Sequence, residues 1–225
     1  MTRHPIVLLA ALAMALPLPA PARDAAAETA TTPSTRHLYL LLIQQARSDG
    51  RPRAALAYLD DYDGQHPGDL DARLLRINCL LDLGQVDAAR KALAKLPAGT
   101  REGEISAVRG HVFAAQGAWN EAAAQYVAAR AANPANPLTG NALGYAQLRA
   151  GRPAEAVETL KGARDLAPRN AVIRNNLLLA LTMAGRAGEA EATFGAIADA
   201  GARDTLRRQI AAQSARLWGA TEARP

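Results

Sequence analysis

The sequence predicts an all-α protein, a solenoid of about five helix-turn-helix repeats closed by a C-terminal capping helix. Three observations carry this expectation. Glycines at 50, 84, 117, 151 and 185 recur every 33 or 34 residues. Each lies between two helix-length segments with the apolar spacing of an amphipathic helix. The apolar 49% of the 225 residues is also unusually small-sided, with 54 alanines against 2 Trp, 5 Tyr and 2 Phe. Alanine has the best intrinsic helix propensity, and a core of alanines requires helices that approach closely.

In chain order, Thr2-Arg3-His4 is a short basic start and Ile6 to Leu16 an unbroken apolar run, followed by Pro17, Pro19 and the triplet Ala20-Pro21-Ala22. This is the order of a secretory signal peptide, and the run is shorter than the ~20 residues of a membrane span. Residues 1–22 are therefore expected to be removed near Ala22, with an uncleaved anchor as the alternative. Residues 23–35 are small and polar, as in a flexible leader. Cys79 is the only cysteine, so no internal disulfide forms, and it reads as a small packed residue.

The repeats are expected at 36–69, 70–102, 103–136, 137–170 and 171–204. Five residues after each glycine comes an alanine (Ala55, Ala89, Ala122, Ala156, Ala190). One helical turn further comes a large side chain (Leu59, Leu93, Tyr126, Leu160, Phe194). Pro67, Pro134 and Pro168 close three copies. Glycine supplies the left-handed residue that ends a helix, the alanine lets paired helices approach, and the large residue fills the space between them. Proline stops the second helix. The second copy is one residue short, with an early Pro97. After the last copy, Asp204 is the expected N-cap of a capping helix over 205–219, leaving 220–225 as a disordered tail.

These columns resemble the tetratricopeptide repeat (TPR) family. The fourth copy matches best, with Leu143-Gly144, Gly151, Ala156, Leu160, Ala163 and Pro168, and the third supplies Gly110, Phe113, Trp119, Tyr126 and Pro134. The resemblance implies a right-handed superhelix with a groove lined by first-helix positions 2, 5, 9, 12 and 13. Mapped onto this chain, the peptide-binding candidates are Gln44, Asn78, His111, Asn141, Tyr145, Arg149, Asn175 and Leu179. Amide side chains both donate and accept, so such a ladder satisfies a peptide backbone without demanding one sequence. Asparagine in the first helix also serves structural roles in this family, Asn176 in particular. More narrowly, the stretch 141–194 resembles the TPR proteins of the Tad/Flp pilus assembly apparatus, the TadD group. That likeness implies an accessory factor of pilus or secretion assembly, peripherally associated with the outer membrane. Members of that group are often lipoproteins, and this chain lacks the cysteine after the apolar run that acylation would need.

No catalytic constellation is legible. Asp60-Asp61-Tyr62-Asp63-Gly64 fails as a calcium loop, because aligning Gly64 places Leu59 and Leu70 where carboxylates are required. His37, His66 and His111 lack metal-ligand spacing. The formal charge is +5, but 23 Arg and 3 Lys are interleaved with 21 acidic residues, which argues against a nucleic-acid surface. The sequence thus predicts a non-enzymatic adaptor, without cofactor or metal, in the periplasm of a Gram-negative bacterium, where it binds proteins or peptides of an envelope assembly. The alternative is an accessory subunit that stabilises or regulates an envelope enzyme.

Overall fold

The structure, a computed structural model, describes residues 35–99 and 101–222. The signal peptide, all of the leader but Thr35, and the last three residues of the expected tail lie outside them. Eleven helices and no strand occur among the described residues. They form five antiparallel pairs: α1 (Thr35–Ser48) with α2 (Pro52–Gln65), α3 (Leu70–Asp82) with α4 (Val86–Leu93), and α5 (Glu102–Ala115) with α6 (Trp119–Ala132). Then come α7 (Pro137–Arg149) with α8 (Pro153–Leu166), α9 (Ala171–Met183) with α10 (Ala187–Gly195), and the terminal α11 (Ala200–Glu222).

Each turn within a pair is built in the same way. Gly151 takes φ +80°, and the next amide, Arg152 N, donates back to Gln147 O at 2.9 Å. The other four glycines of the column repeat this arrangement, from Arg51 N to Ala46 O through to Arg186 N to Leu181 O. This is the Schellman closure, which satisfies carbonyls that a helix end leaves orphaned. The first helices of the second, fourth and fifth pairs are N-capped by Asp69, Asn136 and Asn170, whose side chains accept from backbone amides two or three residues on.

The alanine column is buried throughout, Ala156 completely. Gly144 lies on α7 opposite Leu160 of α8, where an added Cβ would stand 2.5 Å from Leu160 Cγ. Gly110 faces the ring of Tyr126 in the same way, again at 2.5 Å. The small residue of one helix therefore receives the large residue of its partner, which explains how so few bulky side chains fill the interior. Ala156→Leu should overpack this contact and lower stability by about 1–3 kcal/mol in urea denaturation. An unchanged midpoint would contradict the packing.

Two elements differ from expectation. The capping helix starts at Ala200 and not at Thr205, because Asp199 supplies the cap by accepting from Ala202 N at 3.0 Å and Asp204 lies inside the helix. It also runs on to Glu222, so residues 220–222 are helical where a disordered tail was expected. Its Leu206 and Ile210 are buried in one core with Leu177–Leu181 of α9 and Phe194 of α10. In the second pair, α4 is only 8 residues long beside the 14 of α2, α6 and α8. The missing turns leave a cleft of about 460 Å³ bounded by Leu93, Leu96, Pro97, Ile105, Val112 and Phe113.

Candidate functional site: the first-helix surface

The first helices lie side by side, α1 against α3, α3 against α5 and α7 against α9. Their side chains are joined by rungs spaced one repeat apart. Arg47 Nε donates to Asp82 Oδ2 at 2.5 Å, bridging α1 and α3. Asn78 Oδ1 lies 2.9 Å from His111 Nδ1, bridging α3 and α5. Asn176 Nδ2 donates to Asn141 Oδ1 at 2.8 Å, bridging α7 and α9.

A second arrangement joins the third and fourth pairs. The Arg149 guanidinium sits 4.2 Å from the centre of the Trp119 ring, a cation–π contact, and its Nη1 donates to Tyr145 Oη at 3.2 Å. Trp119 and Tyr145 meet edge to face, with centroids 5.9 Å apart. All three side chains are partly exposed. A planar cation stacked on an aromatic face is rigid, so a partner that meets this cluster orders little further side-chain freedom.

The expected site residues distribute unevenly. Gln44 is exposed and lines an open depression with Arg47, Ser48 and Asp82. Asn78 and His111 form one rung, and Tyr145 and Arg149 belong to the aromatic cluster. Asn141 bonds Asn176 of the next repeat. Asn175 is half-buried and accepts from Arg174 Nη2 at 3.4 Å. Leu179 corrects the expectation, since it is only 1% exposed and lies in the core shared with α11. The capping helix packs on α9, and Leu179 belongs to that packing rather than to an open groove. Trp119, Asp82 and Asn176 were not expected as site residues. The column of one-repeat spacings makes the Arg47–Asp82 and Asn141–Asn176 pairs findable in the sequence. Trp119 opens a second helix, and its approach to Arg149 has no sequence signal.

Because Asn78 presents its carbonyl oxygen to His111 Nδ1, the proton of a neutral imidazole lies on Nδ1 and Nε2 is left as an acceptor. Burial, and then the nearby Arg47, push the His111 pKa down from 6.5 to about 4, with Asp82 opposing. Asn141, with its oxygen engaged by Asn176, keeps its amide hydrogens as donors. Between the Arg47–Asp82 ion pair and the stacked Arg149 cation, the surface thus offers neutral donors and acceptors along the repeats. Among the described residues, no three His, Cys, Asp or Glu side chains gather in a metal-binding cluster. No helix there is long and apolar enough to cross a membrane.

Paired helices of one period, a buried alanine column and a polar first-helix surface define a helical-repeat protein of the kind that binds other proteins or peptides. Sequence profiles described as tetratricopeptide repeat match residues 46–111 and 147–214, and a second such profile matches 107–171. The chain belongs to the TPR family, whose members are generally non-enzymatic scaffolds, and no catalytic family is indicated. No curated protein matches it. Among solved structures it is similar to a thermophilic TPR protein of Thermus thermophilus, with TM-score 0.65, 24% identity, and coverage of 78% of this chain and 96% of that one. MamA from Desulfovibrio magneticus RS-1 gives TM-score 0.55 at 21% identity, over 76% of this chain and 94% of that one. MamA of AMB-1 gives 0.55 at 22%, over 76% and 98%. At these identities the likeness concerns the fold.

Proposed function

We propose that the chain is an exported adaptor that holds extended or helical peptide segments of envelope proteins along its first-helix surface. The observation that carries this reading is the run of Asn78–His111, Tyr145–Arg149–Trp119 and Asn141–Asn176 along consecutive repeats. Apart from the stacked Arg149 guanidinium, it presents neutral donors and acceptors on a preorganised scaffold, which suits recognition of a peptide backbone. Export rests on the signal-like order of residues 1–22. A role in pilus or secretion assembly rests on the resemblance of residues 141–194 to the TadD group.

Two measurements test this. Arg149→Glu and Asn175→Arg, made singly, should abolish crosslinking of envelope partners to the protein in its native cells while helical circular dichroism and melting stay unchanged. Retained capture in both variants would overturn the groove. Cell fractionation with N-terminal sequencing should find the chain in the periplasm, beginning just after Ala22. A cytoplasmic chain with an intact N-terminus would remove the envelope role.

A further inference from the structure

Many cations of this chain are answered by carboxylates, as Arg36 is by Asp69 and Asp71, and Arg186 by Glu158 and Glu189. The second helix pair departs from this. A depression of about 450 Å³ where α2, α3 and α4 meet is lined by Arg73, Arg76, Lys91 and Lys95, by the small side chains of Ala88 and Ala92, and by Asp63 of α2. Asp63 is already engaged by Arg76 Nη2 at 2.8 Å, and Asp60 by Arg76 Nη1 at 2.7 Å. Arg73, Lys91 and Lys95 are exposed and make no ion pair or hydrogen bond among the described residues. Lys161, the only other lysine of the chain, pairs with Glu189 at 2.7 Å.

The fold does not call for this cluster. Counted from the start of each copy and from its turn glycine, the same four places hold Tyr39, Leu42, Ala57 and Asp61 in the first copy and Gly140, Leu143, Glu158 and Gly162 in the fourth. None of the other copies has more than one cation there, and all form the same helix pair. Like charges set side by side are mildly destabilising, so packing gives no reason for the cluster, whereas a bound polyanion does. The depression also opens away from the first-helix surface. Arg76 and Asn78 are two residues apart on α3 and project to opposite sides of it, and Asn78 belongs to the rung with His111.

We propose that this depression is a second docking site, which takes an acidic segment of a partner protein with its carboxylates on Arg73, Lys91 and Lys95. The guanidinium fork of Arg73 receives one carboxylate through paired hydrogen bonds, and the two ammonium groups act as point charges for its neighbours. Ala88 and Ala92 leave room for the main chain of the segment. A short acidic peptide suits the place better than a polynucleotide. No aromatic side chain lines the depression for bases to stack on, and Asp60 and Asp87 next to it repel a phosphate backbone that continues past. The site is separate from the first-helix surface, so both can be occupied together.

Fluorescence anisotropy of labelled hexaglutamate with the purified full chain tests this. Binding should be saturable and should weaken as salt rises, because exposed charges are screened. Lys91→Glu combined with Lys95→Glu should weaken it by more than about tenfold, with helical circular dichroism and melting unchanged. Arg73→Glu, on the other helix, serves the same purpose should that variant fail to fold. Arg208→Glu combined with Arg216→Glu changes the net charge equally on α11 and should leave binding intact. Arg149→Glu, on the first-helix surface, should leave it intact too. Absence of saturable binding, an equal loss in the α11 variant, or a loss with Arg149→Glu would overturn the proposal. So would equal competition by inorganic phosphate or by an oligothymidylate of matching charge, which would make the depression a site for simple anions or for nucleic acid.

Discussion

Leu160→Ala should cost about 2–5 kcal/mol, and much of that loss should be recovered by adding Gly144→Ala. Leu160 is completely buried in the core that α8 shares with α9 and α10. Truncating it removes transfer energy and leaves a cavity that helices fixed at both ends fill poorly. Gly144→Ala alone should be destabilising by about 1–3 kcal/mol, because its methyl would stand 2.5 Å from Leu160 Cγ. In the double variant the methyl enters the vacated space, so the two costs should fall well short of additive. Urea denaturation of the four proteins of this cycle measures the coupling. Additive losses would mean that the two positions do not share a contact.

Acid should destabilise the protein in two separate windows. His111 is held neutral, with its pKa lowered from 6.5 to about 4 chiefly by burial. Between these values the unfolded chain binds more protons than the folded one, so stability is full above about pH 6.5 and falls as pH drops toward 4. The loss is on the order of 3 kcal/mol. Asp69 behaves as a depressed carboxyl: burial pushes it up, but hydrogen bonds from Arg36, Tyr62 and the Ala72 amide outweigh burial and bring it down from 3.8 to about 2. Its contribution is present above pH 3.8 and is lost as pH falls through 2. His111→Gln keeps a side chain able to donate to Asn78 but does not titrate. Melting temperatures of this variant should be flat between pH 6.5 and 4 relative to wild type, and the lower window should persist. A pH profile parallel to wild type would refute the assignment to His111.

The fold was readable from the sequence because its contacts are local and periodic. A glycine that must adopt positive φ, an alanine that must sit under a neighbouring helix, and a large residue one turn later recur at one spacing, and repetition separates them from chance. Gln44, Asn78 and His111 fall in one column of that period, which places them on successive first helices, and their part in binding belongs to the proposed function. Leu179 was misread because its column is open only in copies that are followed by a further repeat. In the last copy α11 lies against it, and no periodicity announces that. Trp119 was missed because the distance from the start of one pair's second helix to the end of the next pair's first depends on how the pairs pack.

By itself, the sequence determined the number of repeats, the places where the chain turns, and which face of each helix is small-sided, since these depend on backbone conformation and on side-chain size within about one turn. Only the tertiary structure decided which polar groups of neighbouring repeats pair, how far the α11 cap extends, and that Leu38 of α1 stays uncovered while Ala72, Ile105, Thr139 and Ile173, at the same place in the other copies, are buried. Those outcomes follow from what lies against each face, and a periodic pattern reads the same whether the next layer is present or absent.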